Sequence, residues 1–388
     1  AVVPQIEHAL VLASAWHSEA VPLAAAAVAT ARALGYQPLL ARALLVHGRA
    51  LMTTFDPSAA GVLAEAMRTA LGASDDALAV EAYARWLYVR ATNGATATDN
   101  LEVIEEIAAR LGVRGRFPRA LLYNNLGVAR TMADDFAGAR TALERAAAEH
   151  AQEIELASVG HNLATLEPTP AAGLARIKAT YQLFLDALGP AHARTIMIRT
   201  IVGTLTPDRT AARALFDCEQ LGPALRAGCA YEAGWLADES GDLAAAASLM
   251  ASARNESPPG LIAAGYVALR EGRFRTSERD ELEQIASAPN AAAYQRIYAA
   301  DAALVLALAS PSDAAWQRAN DLAASVRLAV YHRRLARSDS ELARRLAKSR
   351  PADAAAHAER ALAWYGDAAS DRELAAKLAA IRSGRGSR

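Results

Sequence analysis

The run Leu122–Ala146, LYNNLGVARTMADDFAGARTALERA, decides the fold. An apolar helix containing Gly127 leads into a turn at Asp134–Asp135, and a second helix with Leu143 follows. A two-helix unit of this kind cannot bury its apolar face alone, so neighbouring units must stack on one another.

The same offsets recur elsewhere in the chain, which indicates an internal repeat. They start again from three other glycines, with a partial match in the first and the third: Gly48, Gly234 and Gly265. The pattern predicts an all-α superhelical solenoid of antiparallel helix pairs, with ~34–40 residues per unit and roughly nine or ten units. We expect one continuous array over residues 1–381 and a flexible tail over residues 382–388.

Composition narrows the classes of partner. Hydrophobic residues make up 53% of the 388 residues, aromatic residues only 6%, and the formal net charge is −1. This charge does not favour nucleic acid or anionic lipid. The longest apolar runs are too short to span a bilayer, so no membrane insertion is expected. We expect a cytoplasmic location, or an extracytoplasmic one if a membrane span precedes the chain. The missing initiator Met is expected of a piece of a longer polypeptide.

These offsets resemble tetratricopeptide repeats, which place small residues near positions eight, twenty and twenty-seven and an aromatic residue between the helices. The sequence Asn-Asn-Leu-Gly at Asn124–Gly127, its echo at His161–Ala164 and the turn Leu188–His192 resemble the kinesin-light-chain subtype. The resemblance implies the solenoid fold and a role in binding proteins or peptides.

A narrower resemblance is to the repeat region that follows the kinase domain in many myxobacterial serine/threonine protein kinases. The run Glu19–Ala50 looks like the opening of that region, and Ser74–Val89 and Arg119–Ala129 follow in the same order. This resemblance implies a recognition or scaffolding segment of a bacterial signalling protein, but it does not identify the ligand.

No catalytic motif is present in the sequence. It has no Gly-rich phosphate loop, no catalytic His-Arg-Asp and no Gly-x-Ser-x-Gly. The eight histidines form no His-Glu-x-x-His pattern and no ligand pair with Cys. We therefore predict a chain that is not an enzyme and that carries neither cofactor nor metal.

The first helix of each unit is expected to line a concave groove. Similarity to kinesin-light-chain repeats suggests Asn125 and Asn162 as groove residues, with Asn124 beside them. An amide side chain can both donate to and accept from an extended peptide. The alternative, that each Asn bonds a neighbouring helix, is weighed equally.

A second groove candidate combines aromatic and polar residues. Helical spacing places Tyr231 with Trp235, and Tyr266 with Arg270, on first helices of later units, as is typical of recognition hot spots. For Trp235 and Tyr266 the favoured alternative is simple core packing, because large aromatic side chains fill gaps between helices.

Two further features receive structural interpretations. Cys218 and Cys229 are interpreted as two small buried thiols, with their pairing left open. The one notable basic cluster is interpreted as a solvated helix face; its members are Arg333, Arg334, Arg337, Arg344, Arg345, Lys348 and Arg350.

Three functional hypotheses remain. The first is a non-catalytic scaffold that binds a protein or peptide segment in its groove. The second, compatible with the first, is the regulatory or sensor region of a larger kinase or other signalling protein. The third is a small-molecule sensor or an enzyme that uses the interior of the superhelix.

Overall fold

The computed structural model describes residues 2–95, 98–149, 154–288, 293–366, 368 and 371–384. Within these ranges every regular element is a helix, so the predicted all-α class is confirmed. None of the helices described is long and apolar enough to cross a membrane. Residues 385–388 of the predicted tail lie outside the described part.

The first half of the chain contains ten α-helices. They are α1 (Val2–Ser14), α2 (Ala20–Leu34), α3 (Gln37–Thr53), α4 (Ala59–Gly72), α5 (Asp76–Thr92), α6 (Leu101–Arg110), α7 (Arg116–Met132), α8 (Phe136–Ala148), α9 (Ser158–Thr165) and α10 (Pro170–Leu188).

The second half contains the remaining eleven in the described residues. They are α11 (Ala193–Leu205), α12 (Arg209–Arg213), α13 (Pro223–Glu239), α14 (Leu243–Ser252), α15 (Pro258–Arg270), α16 (Thr276–Ala286), α17 (Ala293–Ala309), α18 (Asp313–Ser325), α19 (His332–Leu346), α20 (Pro351–Tyr365) and α21 (Arg372–Arg382). Three short 3-10 helices lie at Gly112–Gly115, Ile154–Ala157 and Ala329–Tyr331.

The chain divides into two compact units. Unit 1 consists of Ala1–Leu163 and Leu183–Ala193, and unit 2 consists of Ala164–Gln182 and Arg194–Arg388. In each unit most helices pack against the next helix in the chain, and several also pack against the next but one. Examples of the second kind are α5 with α7 in unit 1 and α15 with α17 in unit 2.

A backbone feature recurs with a regular period in unit 1. Residues with positive φ follow α1, α3, α5 and α7 at Trp16, Phe55, Gly94 and Asp134, which are 39, 39 and 40 residues apart. This left-handed conformation is uncommon for residues other than glycine. Its return at the same place in the chain therefore marks a repeated turn.

The glycines from which the sequence offsets were counted lie at close contacts between helices. A Cβ added at any of them would lie between 2.5 and 2.9 Å from a large side chain of the following helix. Because real Cβ atoms do not approach so closely, only glycine allows each pair of helices to pack this tightly. The pairs are Gly48 with Leu63, Gly127 with Leu143, Gly234 with Met250, and Gly265 with Leu282.

The paired helices differ in burial. Every residue of α7 from 120 to 129 is buried, and so is every residue of α17 from 301 to 307. By contrast, α8 buries only a stripe at one-turn spacing, namely Ala139, Ala142, Leu143 and Ala146. Such helices as α7 and α17 are inner helices, and polar side chains on them must find their partners inside the protein.

Candidate functional sites

A chain of amide hydrogen bonds joins residues of α5, α7 and α9 that belong to unit 1. Asn125 on α7 donates through Nδ2 to the carbonyl oxygen of Ala84 on α5, at 2.8 Å. Asn124 donates to Oδ1 of Asn125 at 2.9 Å, and Asn162 on α9 donates to Oδ1 of Asn124 at 2.8 Å. We call this arrangement the amide ladder.

The ladder bears on the predicted groove asparagines. Asn124 and Asn125 are 5% and 4% exposed, and Asn162 is partly exposed. Asn125 and Asn162 each donate a hydrogen bond to a neighbouring helix, as the alternative interpretation expects. Direct contact of these amides with a bound peptide stays a prediction, and a peptide reaching Asn125 would have to displace part of the ladder.

A buried arginine follows the ladder residue Ala84 on α5. Arg85 donates to Glu155 at 2.6 and 3.0 Å and to Glu81 at 2.8 and 2.9 Å. It is 4% exposed. A buried guanidinium requires such partners, since its desolvation is otherwise uncompensated.

The predicted aromatic group of unit 2 is brought together by the fold. The ring centroids of Tyr231 and Trp235 are 6.2 Å apart with perpendicular planes, and those of Trp235 and Tyr266 are 5.7 Å apart. All three side chains are buried. They belong to the core, which agrees with the alternative that was favoured for Trp235 and Tyr266. They also adjoin a group of buried charges.

The first buried carboxylate of this group is Asp238 on α13. It accepts hydrogen bonds from Tyr266 and Arg270 and pairs with Arg337 of α19. Arg270 also donates to the hydroxyl of Tyr266 at 2.9 Å. Burial acts to raise the pKa of Asp238, but Arg337, Tyr266 and Arg270 outweigh it, and the pKa lies below its ordinary value.

The second buried carboxylate is Asp301 on α17. Tyr231 donates to it at 2.8 Å, Tyr331 donates to it at 2.6 Å, and Arg334 Nε lies 2.7 Å from it. Burial raises the pKa of Asp301, assisted by Glu232, against the opposing effects of Arg334 and the tyrosine hydroxyls. Glu232 itself accepts two hydrogen bonds from Arg334, at 3.0 and 3.1 Å.

A third arginine of α19 completes the group. Arg333 donates to Glu239 at 3.0 Å and also to the carbonyl oxygen of Thr206, and Tyr365 of α20 donates to Glu239. We call the four acids and four arginines the charged cluster; its members are Glu232, Asp238, Glu239, Asp301, Arg270, Arg333, Arg334 and Arg337.

This arrangement corrects the interpretation of the basic residues as a solvated helix face. Arg333 and Arg334 are 4% and 5% exposed, so for them that interpretation is wrong. These two arginines are buried because they pair with acids of α13 and α17. The sequence could not show this pairing, since those acids lie far away along the chain. Arg344 fits the original interpretation, since it is exposed and pairs with Glu341 of its own helix.

One signal in the sequence could have revealed part of the cluster. Asp301 lies within an otherwise apolar run, AADAALVLALA, on a helix that must be buried. A carboxylate in such a helix requires a cation or several hydrogen-bond donors. The sequence does not show which arginine supplies the charge.

A narrow cleft borders the charged cluster. Its lining includes Phe216, Trp235, Glu239 and Arg337, and it has about 10 Å³ of space, enough for roughly one water molecule. The four acids and four arginines balance in charge, so the cluster exerts little net attraction on an ion. Each of its carboxylates is engaged by arginine or tyrosine.

The two cysteines form a disulfide, which overturns their interpretation as free thiols. Cys218 and Cys229 are bonded and lie in unit 2. Proximity of their backbones in the fold, which the sequence does not reveal, allows the bond. It connects the segment after α12 to α13, and Phe216 of that segment packs on Gly203 and lines the narrow cleft.

A wider cleft lies in unit 1, and we call it the arginine cleft. It has about 570 Å³ of space, within the range of ligand-binding pockets. It lies where α7 begins and α8 ends. Its lining residues are Gly112, Val113, Arg116, Arg119, Tyr123, Arg145, Ala148 and Glu149.

No protein-family model matches the chain, and none of the curated proteins matches it significantly. In the part of the chain that the structure describes, no three His, Cys, Asp or Glu side chains converge in a way that could hold a metal ion. Function must therefore be argued from the geometry of the chain itself.

Proposed function

We propose that the chain is a non-catalytic helical-repeat scaffold, built from antiparallel helix pairs stacked as a solenoid, that binds a protein or peptide segment. The observation that carries the proposal is the repeated contact between a glycine of one helix and a large side chain of the next. The turns about 39 residues apart in unit 1 support the same repeat. A chain of such units presents an extended surface suited to binding other chains.

The exposed turns of unit 1 support a binding role. Tyr36, Phe55 and Val113 are 62%, 59% and 74% exposed and lie in or beside turns between helices. Phe55 is grouped with Trp16, whose ring centroid lies 6.4 Å away, and grouped apolar side chains at the surface often mark sites of protein interaction. We infer that the turns at Trp16 and Phe55 contact the partner and that the amide ladder acts indirectly, by holding α5, α7 and α9 in register.

The resemblances to tetratricopeptide and kinase-associated repeats imply the same kind of role. A regulatory region of a larger signalling protein would also act by binding, so the first two hypotheses stay joined. The narrow cleft of unit 2, with room for about one water molecule, does not favour the alternative of a small-molecule site in the interior.

Selection of peptides from a random displayed library, with the whole folded chain as bait, tests the proposal. Enriched sequences should bind in calorimetric titration with a Kd in the micromolar range, about −8 kcal/mol, and should not bind the heat-unfolded chain. Absence of any enriched sequence that binds in titration would contradict the proposal.

The groove assignment has a separate test. If the asparagines contact the peptide directly or through the ladder, Asn125→Ala with Asn162→Ala should weaken binding of the selected peptide. Thr141→Ala, at an exposed position of α8, is the control. Unchanged affinity in the double variant would remove the asparagines from the binding surface.

The disulfide favours the extracytoplasmic of the two expected locations, because disulfides persist mainly in oxidising compartments. Alkylation of the native, unreduced chain followed by mass spectrometry should find neither Cys218 nor Cys229 labelled. Labelling of both residues in protein isolated from its own cell would favour the cytoplasm instead.

A further inference from the structure

The arginine cleft holds hydrogen-bond donors that the protein itself does not use. Arg116 lies in its wall, is exposed, and has no hydrogen bond or ion pair to any described residue. Arg119 differs, because it donates to Glu149 at 2.8 Å through two nitrogens and also to the carbonyl oxygens of Ala108 and Gly112. Arg116 is therefore the arginine whose charge is free for a ligand.

A second unused donor lies deeper in the cleft. Tyr123 is 6% exposed, and its hydroxyl accepts a hydrogen bond from Arg145, whose guanidinium lies 3.8 Å from the centre of the ring. The hydroxyl proton has no acceptor among the described residues. Burial raises the pKa of Tyr123, so the hydroxyl stays protonated at neutral pH and able to donate.

The local charge selects the sign of the ligand. Three arginines and Glu149 line the cleft, and Glu105 lies 3.2 Å from Arg145. The three arginines and two glutamates leave one net positive charge at the cleft, although the chain as a whole carries −1. A free guanidinium and a phenolic O–H that line the same cleft can both donate to an oxyanion, which accepts several charge-assisted hydrogen bonds at once.

We propose that the arginine cleft binds an oxyanion carried by a peptide, either a side-chain carboxylate or a phosphate, through Arg116 and the hydroxyl of Tyr123. The inference rests on the proposed peptide-binding function and names the chemistry of one of its contacts. The cleft is larger than a single phosphate requires, and so the residues flanking the acidic group also fit within it.

Three fluorescent peptides of equal length and otherwise identical sequence test the proposal, with glutamate, phosphoserine or glutamine at the central position. Fluorescence anisotropy with the whole chain should show binding of the glutamate peptide, the phosphoserine peptide or both, and weaker binding of the glutamine peptide by about tenfold or more. The relative affinity of the two acidic peptides identifies the source of the oxyanion. Equal affinity for all three peptides, or no binding, would overturn the proposal.

Matched variants locate the site. Arg116→Gln and Tyr123→Phe should each weaken binding of the acidic peptide, with about tenfold loss for Arg116→Gln. Arg68→Gln, at an exposed and unpaired position of α4, should leave it unchanged. An equal loss in Arg68→Gln, or none in Arg116→Gln, would overturn the assignment.

The library-selected peptide separates this inference from the proposed function. If that peptide binds while all three synthetic peptides fail, the arginine cleft is wrong and the scaffold function stands. If the library yields no binder either, the scaffold function fails as well.

Discussion

Two inner helices, α7 of unit 1 and α19 of unit 2, are held to their neighbours by different chemistry. In unit 1, α7 is joined to its neighbours by the neutral amide ladder, in which each amide donor has a nearby acceptor. In unit 2, α19 is joined to α13 and α17 by the charged cluster. The contrast teaches that a buried helix can be joined to its neighbours by neutral amides or by paired charges, at very different energetic risk.

The risk differs because a charge loses more than an amide when its partner is removed. A buried amide left without a partner forfeits about 1–3 kcal/mol. A buried carboxylate that loses its cation is uncompensated and destabilises the fold by about 3–5 kcal/mol. Substitution of a buried polar residue on α19 should therefore cost more than substitution of a buried amide on α7.

Removing Arg334 is the substitution expected to have the largest effect. Arg334→Met leaves Asp301 buried without its arginine, and we expect a loss of about 3–5 kcal/mol in the free energy of unfolding of unit 2. Hydrogen exchange of α19 peptides measures it locally. Arg344→Met, on the exposed side of the same helix, is the control and should change stability by less than about 0.5 kcal/mol. Equal effects of the two substitutions would break the comparison.

A methyl group added at a glycine contact compares how tightly the helices of the two units pack. In unit 1, a Cβ at residue 127 would lie 2.6 Å from Cγ of Leu143, and in unit 2 a Cβ at residue 234 would lie 2.9 Å from Cγ of Met250. Gly127→Ala should cost about 1–3 kcal/mol. Gly234→Ala should cost less, since an unbranched methionine moves aside more easily.

Urea denaturation of both glycine variants checks this order. Gly61→Ala is the control, because nothing lies within 4 Å of the added Cβ. It should be neutral or stabilising by up to about 1 kcal/mol. A larger loss for Gly234→Ala than for Gly127→Ala would contradict the packing argument.

Alkaline pH should act on the tyrosines of unit 2. Burial, followed by the charge of Asp301, raises the pKa of Tyr231 and Tyr331 well above 10. As pH rises, the unfolded chain loses these protons before the folded chain does. The stabilisation that each tyrosine contributes to the free energy of unfolding is therefore complete below pH 10 and falls as pH rises above it. The slope is about 1.4 kcal/mol per pH unit for each tyrosine.

Denaturation of unit 2 between pH 9 and 11 measures this dependence. Tyr331→Phe should make the loss of stability less steep by the share of one tyrosine, whereas Tyr36→Phe, at a 62% exposed position, should leave the slope unchanged. Identical slopes in the two variants would show that Tyr331 keeps an ordinary pKa.

Much of the fold could be predicted from the sequence because helix pairing is a local property. The offsets from Gly127 and Gly234 indicated close helix contacts, and the structure has those contacts. The grouping of Tyr231 with Trp235 was also predictable, since one helical turn separates them. These features depend on residues fewer than about thirty positions apart.

The charged cluster and the disulfide could not be predicted in the same way. Arg333 pairs with Glu239, and Arg334 pairs with Glu232. Each acid precedes its arginine by about ninety to one hundred residues. Viewed alone, α19 has the composition of a solvated helix. Only Asp301, an acid within an apolar run, could have revealed that a cation is buried nearby.

A double-mutant cycle between Arg334→Met and Asp301→Asn tests most directly the claim that the inner helices of unit 2 are held by paired buried charge. The free energy of local opening of α19, measured by hydrogen exchange in the two single variants and the double variant, gives the coupling energy. We predict a coupling of about 1–3 kcal/mol, with the double variant more stable than the sum of the single losses implies. Strictly additive losses would contradict the claim.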